Sequence, residues 1–82
     1  MANKKHVEIV KQGAKLIQVA RSKSPELQFD LKGAKLYQTD LNGADLSQAN
    51  FRKAFLKDTK LKAADLSQAD FEMATIENVD LS

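Results

Sequence analysis

The chain has 82 residues, a formal net charge of +2 and no cysteine, so it has the size of one small domain and lacks a disulfide framework. No apolar run reaches the length of a membrane-spanning helix, and the first 24 residues lack the apolar centre of a signal peptide, which predicts a cytoplasmic location. A net charge this small does not by itself indicate nucleic acid or another polyanion as a partner.

Residues 1–28 are predicted to form an amphipathic helix and a link. From about Lys5 to Ser22 the apolar residues recur with helical spacing and fill one half of the helix surface. These residues are Val7, Ile9, Val10, Gly13, Ala14, Leu16, Ile17 and Ala20. Asn3 is the expected helix cap, and the helix should end before Pro25, because the residue preceding a proline is disfavoured in the helical conformation.

Two residues of this helix carry further expectations. Gly13 lies in the apolar half, where it costs about 1 kcal/mol relative to alanine, so a close approach to another surface is expected there. His6, the only histidine, is predicted to pack or to cap and not to catalyse. A membrane surface or a calmodulin-like partner remains an alternative use of a basic amphipathic helix.

From residue 29 onward a large apolar residue returns at every fifth position. The series is Leu31, Leu36, Leu41, Leu46, Phe51, Leu56, Leu61, Leu66, Phe71, Ile76 and Leu81. A helix would scatter this series around its circumference, and a flat strand would expose every second member to water. Short extended pieces joined by corners keep the whole series inward, so the pattern predicts a β-solenoid.

A longer repeat gives the number of pieces in each turn. The hexapeptide 44–49 recurs as residues 64–69, 20 positions later, and Phe51 and Phe71 have the same separation. Four five-residue pieces therefore make one turn, and residues 20 apart are expected to stack about 4.8 Å from each other. Because the open end of such an array exposes its core and an unpaired strand edge, we predict that the N-terminal helix caps it. Phe29 occupies an inward position of small residues, so the first coil is either wider than the others or plugged by this helix.

These blocks resemble the pentapeptide-repeat family, whose motif is often written A(D/N)LXX. The matching blocks are Ala44-Asp45-Leu46-Ser47-Gln48, Ala49-Asn50-Phe51, Ala64-Asp65-Leu66 and Ala69-Asp70-Phe71. The resemblance covers about two thirds of the chain. It implies a right-handed quadrilateral β-helix of just under three coils in residues 29–82, with residues 1–28 as cap and linker. The departures from the motif are Phe55, Lys60, Thr39, Thr59 and Val79.

Phe55 is the least expected residue, because it replaces an outward-facing polar one. Its predicted side of the coil also carries Lys35, Tyr37 and Lys57, and exposed aromatic residues among lysines suit a protein-contact patch. The alternative is a solitary exposed apolar side chain, which is common on protein surfaces.

The last coil has no helix after it to cover its core. An exposed apolar end is therefore predicted, lined by Phe71, Ile76, Val79 and Leu81. Two interpretations are open: a second copy covers this end in a two-fold dimer, or the natural sequence is longer.

A cluster of basic residues lies in the middle of the repeats, at Arg52, Lys53, Lys57, Lys60 and Lys62. A nucleic-acid interface is one interpretation, but the cluster spreads over three sides of a coil. Residues 20 positions away also supply acidic partners, namely Glu72, Glu77, Asp40 and Asp80. We expect stacked charge pairs, and binding of nucleic acid is not the favoured interpretation.

No catalytic, metal or cofactor site is predicted, because the chain has neither a ligand cluster nor a nucleophile beside a base. The predicted function is a non-catalytic scaffold for protein–protein interaction, with an unidentified partner. Some family members imitate DNA through acidic surfaces and bind DNA gyrase, which gives the alternative. Asp45 above Asp65 is a poor copy of the charge density of a duplex. A polyanion binder that uses the basic helix is a third hypothesis.

Overall fold

The structure is a computed structural model, and it describes residues 2–81. Two helices come first, α1 at Lys4–Lys11 and α2 at Ala14–Lys23. Within the described residues two strands follow, β1 at Phe55–Lys57 and β2 at Thr75–Glu77, and isolated β-bridges pair the other repeats. In the same range no helix combines the length and the apolar character needed to cross a membrane.

The described pairings of the repeats are parallel and join residues 20 positions apart. β1 pairs with β2 in the register that sets Phe55 against Thr75. Leu46 N–H donates to the Asp65 carbonyl over 2.9 Å, and Asp65 N–H donates to the Ala44 carbonyl over 2.9 Å. The predicted 20-residue register is therefore confirmed, and each successive 20-residue turn is called a coil below.

The bridged residues form four columns, each named here after its first residue. They are the Asp30 column with Asn50 and Asp70, the Lys35 column with Phe55 and Thr75, the Asp40 column with Lys60 and Asp80, and the Asp45 column with Asp65. The chain passes through all four columns before it returns to the first one in the next coil.

The predicted apolar series forms the core. Its first six members, from Leu31 to Leu56, are fully buried, as is Phe29. Phe51 and Phe71 stack face to face with ring centroids 4.7 Å apart, as the 20-residue spacing predicts. The hydroxyl of buried Thr59 donates to the Leu36 carbonyl, so the departure from alanine at this inward position leaves no unpaired hydroxyl.

The corners between the extended pieces share one backbone feature. Every fifth residue from 33 to 78 has a φ between +53° and +73°, which is the left-handed region. Glycine adopts this region without strain at Gly33 and Gly43. The other corners use Gln38, Gln48, Lys53, Asp58, Ala63, Gln68, Met73 and Asn78.

The acidic or amide position of the motif supports these corners. Asp45 Oδ1 accepts the backbone N–H of Ser47 over 3.1 Å, two residues further along. The same bond recurs at Asp30, Asp40, Asn50, Asp65 and Asp70. A short side chain with an oxygen at this distance holds the turn, which explains the preference for Asp or Asn there.

The prediction of a single N-terminal helix is wrong, because the helix breaks at Gln12 and Gly13. Gly13 has a φ of +101°, and a Cβ at this position would lie 3.4 Å from the Asp40 carbonyl oxygen, so the expected close approach is present. The break turns the apolar stripe, and Leu16, predicted to be buried, is 36% exposed. Val10 and Ile17 remain fully buried, one from each helix.

Candidate functional site

Two residues of the predicted patch, Lys35 and Phe55, lie on the Lys35 column, and Tyr37 and Lys57 each follow one of them two positions later in the chain. Lys35 is bridged to Phe55, which pairs with Thr75 in the next coil. Tyr37 is 49% exposed, whereas Phe55 is half-buried between the coils that flank it. Tyr37 is therefore the more exposed aromatic residue of the patch, and Phe55 is less exposed than the sequence predicts.

Two shallow grooves flank Tyr37. The first is lined by Tyr37, Gln38, Lys57 and Asp58. The second lies between the end of α1 and the first coil, and it is lined by Lys11, Lys35, Tyr37, Gln38, Thr39 and Asp40. Lys11 was not identified from the sequence, because its position in the polar half of a helix does not reveal which repeat it faces.

The edge of the first coil that faces the helices is called the upper edge below. On the Asp30 column this edge is paired: Asn3 N–H donates to the Asp30 carbonyl over 3.1 Å, and Asp30 N–H donates to Nδ1 of His6 over 3.0 Å. The His6 ring also packs edge-on against Phe29, with centroids 5.4 Å apart. His6 therefore both packs and caps, as predicted, and the Asn3 side chain caps α1 by accepting the Lys5 N–H.

Arg21 pairs the upper edge on the Asp45 column. Its Nε donates to the Asp45 carbonyl and its Nη2 to the Ser47 carbonyl, both over 2.7 Å. The guanidinium carbon lies 5.4 Å from the centroid of the Phe29 ring, and the side chain is 12% exposed. The sequence alone did not identify this role, since nothing distinguishes Arg21 from the other basic residues of its helix.

A family model of pentapeptide repeats matches residues 30–68 and 56–82, with eight copies. Together these matches cover more than half of the chain. The chain belongs to the pentapeptide-repeat family. This confirms the resemblance read from the sequence and, with the parallel register, a fold of the β-helix type. Comparisons with curated proteins and with solved structures gave no significant match.

Three residues of the basic cluster in this pentapeptide-repeat protein, Arg52, Lys57 and Lys60, face acidic residues of a neighbouring coil. Arg52 Nη2 lies 3.0 Å from Glu72 Oε1, and Arg52 Nη1 lies 3.7 Å from Asp70 Oδ2. Lys57 is the register partner of Glu77 in the next coil. The expected alternation of charge between coils is therefore present, and its geometry is clearest at Arg52.

The acidic pair of the Asp45 column is held by local hydrogen bonds. The hydroxyl and the backbone N–H of Ser67 both donate to Asp65 Oδ1. These two bonds lower the pKa of the Asp65 carboxyl below its ordinary value, and the positive charge of Arg21 adds a smaller effect in the same direction. Ser47 makes the same two bonds to Asp45, whose carboxylate also lies 3.8 Å from Arg21 Nε.

The predicted end residues also lie together. Ile76 and Leu81 are 51% and 61% exposed, and Phe71 and Val79 are half-buried. With Leu56, Leu61 and Leu66 of the second coil they line an apolar depression of about 130 Å³. Within residues 2–81 no three His, Asp or Glu side chains are placed to hold a metal ion.

Proposed function

We propose that this protein is a non-catalytic repeat scaffold that binds a protein partner through the patch of Lys35, Tyr37, Phe55 and Lys57. The observation that supports the proposal is the half-exposed Tyr37, which lines two grooves together with the exposed Lys35 and Lys57. Aromatic side chains with a polar tip anchor protein interfaces at low entropic cost, and they are enriched where binding energy is concentrated.

The proposed scaffold is a right-handed quadrilateral β-helix of just under three coils in residues 29–82, with residues 1–28 as its cap and linker. Support for four sides comes from the four columns in each 20-residue coil. Support for the cap comes from the burial of Val10 and Ile17 against the first coil and from the bonds of Asn3, His6 and Arg21 to its upper edge.

Quantitative capture from a lysate of the native host tests the patch. Tyr37→Asp should abolish partner capture, because it places a charge at the centre of the contact and removes the aromatic ring. Gln68→Asp is the matched control, since it adds the same charge at an exposed corner residue outside the patch, three positions after Asp65 of the Asp45 column. Equal capture by the wild type, the control and Tyr37→Asp would refute the patch, provided that all three fold.

A second candidate function is self-association through the apolar end. The depression lined by Phe71, Ile76 and Leu81 is apolar throughout, and a second copy would present the same surface in a two-fold arrangement. Sedimentation at rising concentration should then show a dimer that Ile76→Asp dissociates. A monomer at all concentrations would refute this candidate and would leave the Tyr37 patch unaffected.

The alternative of a DNA mimic that binds DNA gyrase has weaker support, because Arg21 and the Ser47 donors already engage the Asp45 carboxylate. Inhibition of gyrase supercoiling that Asp45→Asn and Asp65→Asn abolish would favour it over the scaffold. The third hypothesis, a polyanion binder that uses the basic helices, requires retention on DNA that falls steeply with salt.

A further inference from the structure

The backbone of Lys35 offers unused hydrogen-bonding groups beside the patch. The bridge between Lys35 and Phe55 is made by the Ala34 carbonyl and the Leu36 N–H, each 2.8 Å from its partner atom on Phe55. In parallel pairing the residue between those two groups points its own N–H and C=O in the opposite direction. The N–H and C=O of Lys35 therefore point to the upper edge.

At the upper edge, the contacts between the helices and the coil differ from column to column. Asn3 and His6 pair it at Asp30, Arg21 pairs it at Asp45, and Gly13 lies against the Asp40 carbonyl. On the Lys35 column, no described residue of either helix bonds the Lys35 backbone. Among the described residues, the cap therefore pairs the edges at Asp30 and Asp45 by hydrogen bonds and lies against the Asp40 carbonyl without bonding it. The edge at Lys35, next to Tyr37, has no such partner and is the open edge considered below.

The charge around this open edge is positive. Lys11, Lys35 and Lys57 line the two grooves beside Tyr37. The two carboxylates there are engaged within the chain: Asp40 Oδ1 accepts the Asn42 N–H, and Asp58 Oδ1 accepts the Asn78 side-chain amide. Both carboxylates keep their negative charge, so three lysines stand against two aspartates and the lining of the two grooves has a net charge of +1. This excess of positive charge favours an acidic ligand.

We propose that the partner binds here through an extended acidic segment, which adds a strand to the open edge at residues 35–37. The inference rests on the proposed function, because it assigns the kind of partner that occupies the same patch. Backbone hydrogen bonds to Lys35 supply affinity, the lysines select acidic side chains, and Tyr37 supplies an apolar contact, as in other cases of strand addition to a sheet edge.

A peptide titration followed by NMR on the full chain tests the proposal. The probe is an acetylated and amidated heptapeptide that alternates glutamate and threonine. We expect its binding to shift the Lys35 amide and to slow the exchange of that amide with solvent. The same peptide with methylated backbone nitrogens, and a lysine–threonine peptide, should each bind at least about tenfold more weakly, because each lacks one of the two recognition elements.

Two substitutions of Lys35 separate the contribution of its backbone N–H to peptide binding from the contribution of its charge. Lys35→Ala removes the charge and keeps the N–H, and we expect roughly threefold weaker binding. Lys35→Pro also removes the N–H, on an edge where proline is tolerated, and should weaken binding by about a further fivefold. Equal affinities of the alanine and proline variants would overturn strand addition.

Further outcomes are equally decisive. Absence of any Lys35 amide shift at millimolar peptide would overturn the proposal, and this readout on the wild type does not depend on how well the proline variant folds. Equal binding of an oligothymidylate, insensitive to Lys35→Pro, would replace it with a polyanion site. If Tyr37→Asp abolishes partner capture but the acidic peptide does not bind, the patch stands and only strand addition fails.

Discussion

The left-handed corner residue is what sets the five-residue spacing at the scale of single residues. One residue in five reverses the sign of φ, and the Asp or Asn three residues earlier holds the turn through its bond to the intervening backbone N–H. Left-handed conformations cost most for β-branched side chains and least for glycine. At the corner positions, the loss of stability on substitution should therefore follow the cost of the left-handed conformation for each residue type, and not its packing.

Lys53 tests this order, because it is exposed and has a φ of +59°. Lys53→Val should destabilise the protein by about 1–2 kcal/mol, and Lys53→Gly should change the free energy of unfolding by less than about 1 kcal/mol. At Lys32, which precedes the corner residue Gly33 and is exposed but not left-handed, glycine should destabilise the protein more than valine. Urea denaturation of the four variants checks this, and the same order at both positions would contradict it.

Asp65 gives a pH-dependent prediction. The hydrogen bond from the Ser67 hydroxyl is the main cause that lowers the pKa of the Asp65 carboxyl below its ordinary value. The bond therefore stabilises the fold at pH values above the ordinary pKa of an aspartate, and this stabilisation is lost as the pH falls through the folded-state pKa. A titration of the Asp65 carboxyl carbon by NMR should show a higher pKa in Ser67→Ala and an unchanged one in Ser67→Thr. An unchanged pKa in Ser67→Ala would contradict the assigned cause.

At the scale of elements, the cap attaches to the coil through few groups. Arg21 replaces the strand that would otherwise pair with the Asp45 and Ser47 carbonyls, and His6 and Asn3 do the same at Asp30. A planar guanidinium with a fork of donors suits two neighbouring carbonyls better than an ammonium does. The docking of α2 should depend on this side chain.

Arg21→Ala should destabilise the protein by about 2 kcal/mol, because two charge-assisted hydrogen bonds are lost and the carbonyls they satisfied are left under helix α2. Arg21→Lys should recover part of this loss. Lys23→Ala, on an exposed side chain two residues further along, should have an effect within about 0.5 kcal/mol. Thermal unfolding compares the three, and an Arg21→Ala variant as stable as Lys23→Ala would contradict the role of Arg21.

The repeats and the helices differ in how much of their structure the sequence predicts. The period of five is a local pattern, and it predicted the core, the 20-residue register and the stacked Phe51 and Phe71 correctly. The break at Gly13 was not predicted, because a glycine inside an apolar stripe is compatible with a continuous helix at a modest cost. Gly13 has a φ of +101° at the break and lies close to the Asp40 carbonyl, and this proximity to a repeat is a tertiary feature that the helix sequence does not reveal.

In the candidate site too, some features follow from the sequence and others depend on how the helices dock. The proximity of Lys35, Tyr37, Phe55 and Lys57 follows from the register, so the sequence was sufficient to predict it. Lys11 joins the patch only because α1 docks in one orientation, and no residue pattern in the helix encodes that orientation. The open edge at Lys35 depends on the same docking.

Burial decreases along the molecule as a whole. The apolar series is fully buried at Leu31, is half-buried at Leu66 and reaches 61% exposure at Leu81. In a stacked array each coil is stabilised mainly by its neighbours, so the amides that bond the first coil to the second, beneath the cap, should be the most protected from hydrogen exchange. The Lys35 amide at the open edge should exchange faster than these. The patch lies on this well-supported part of the molecule.

The 20-residue register is the claim on which the core, the charge pairs and the patch all depend. NMR couplings transmitted through hydrogen bonds measure it directly. The amides of Leu31, Leu36, Leu41 and Leu46 should couple to the carbonyl carbons of Asn50, Phe55, Lys60 and Asp65 respectively, each 19 residues further along. Couplings to the residue four positions earlier, as in a helix, or to carbonyls at any other separation would contradict the account.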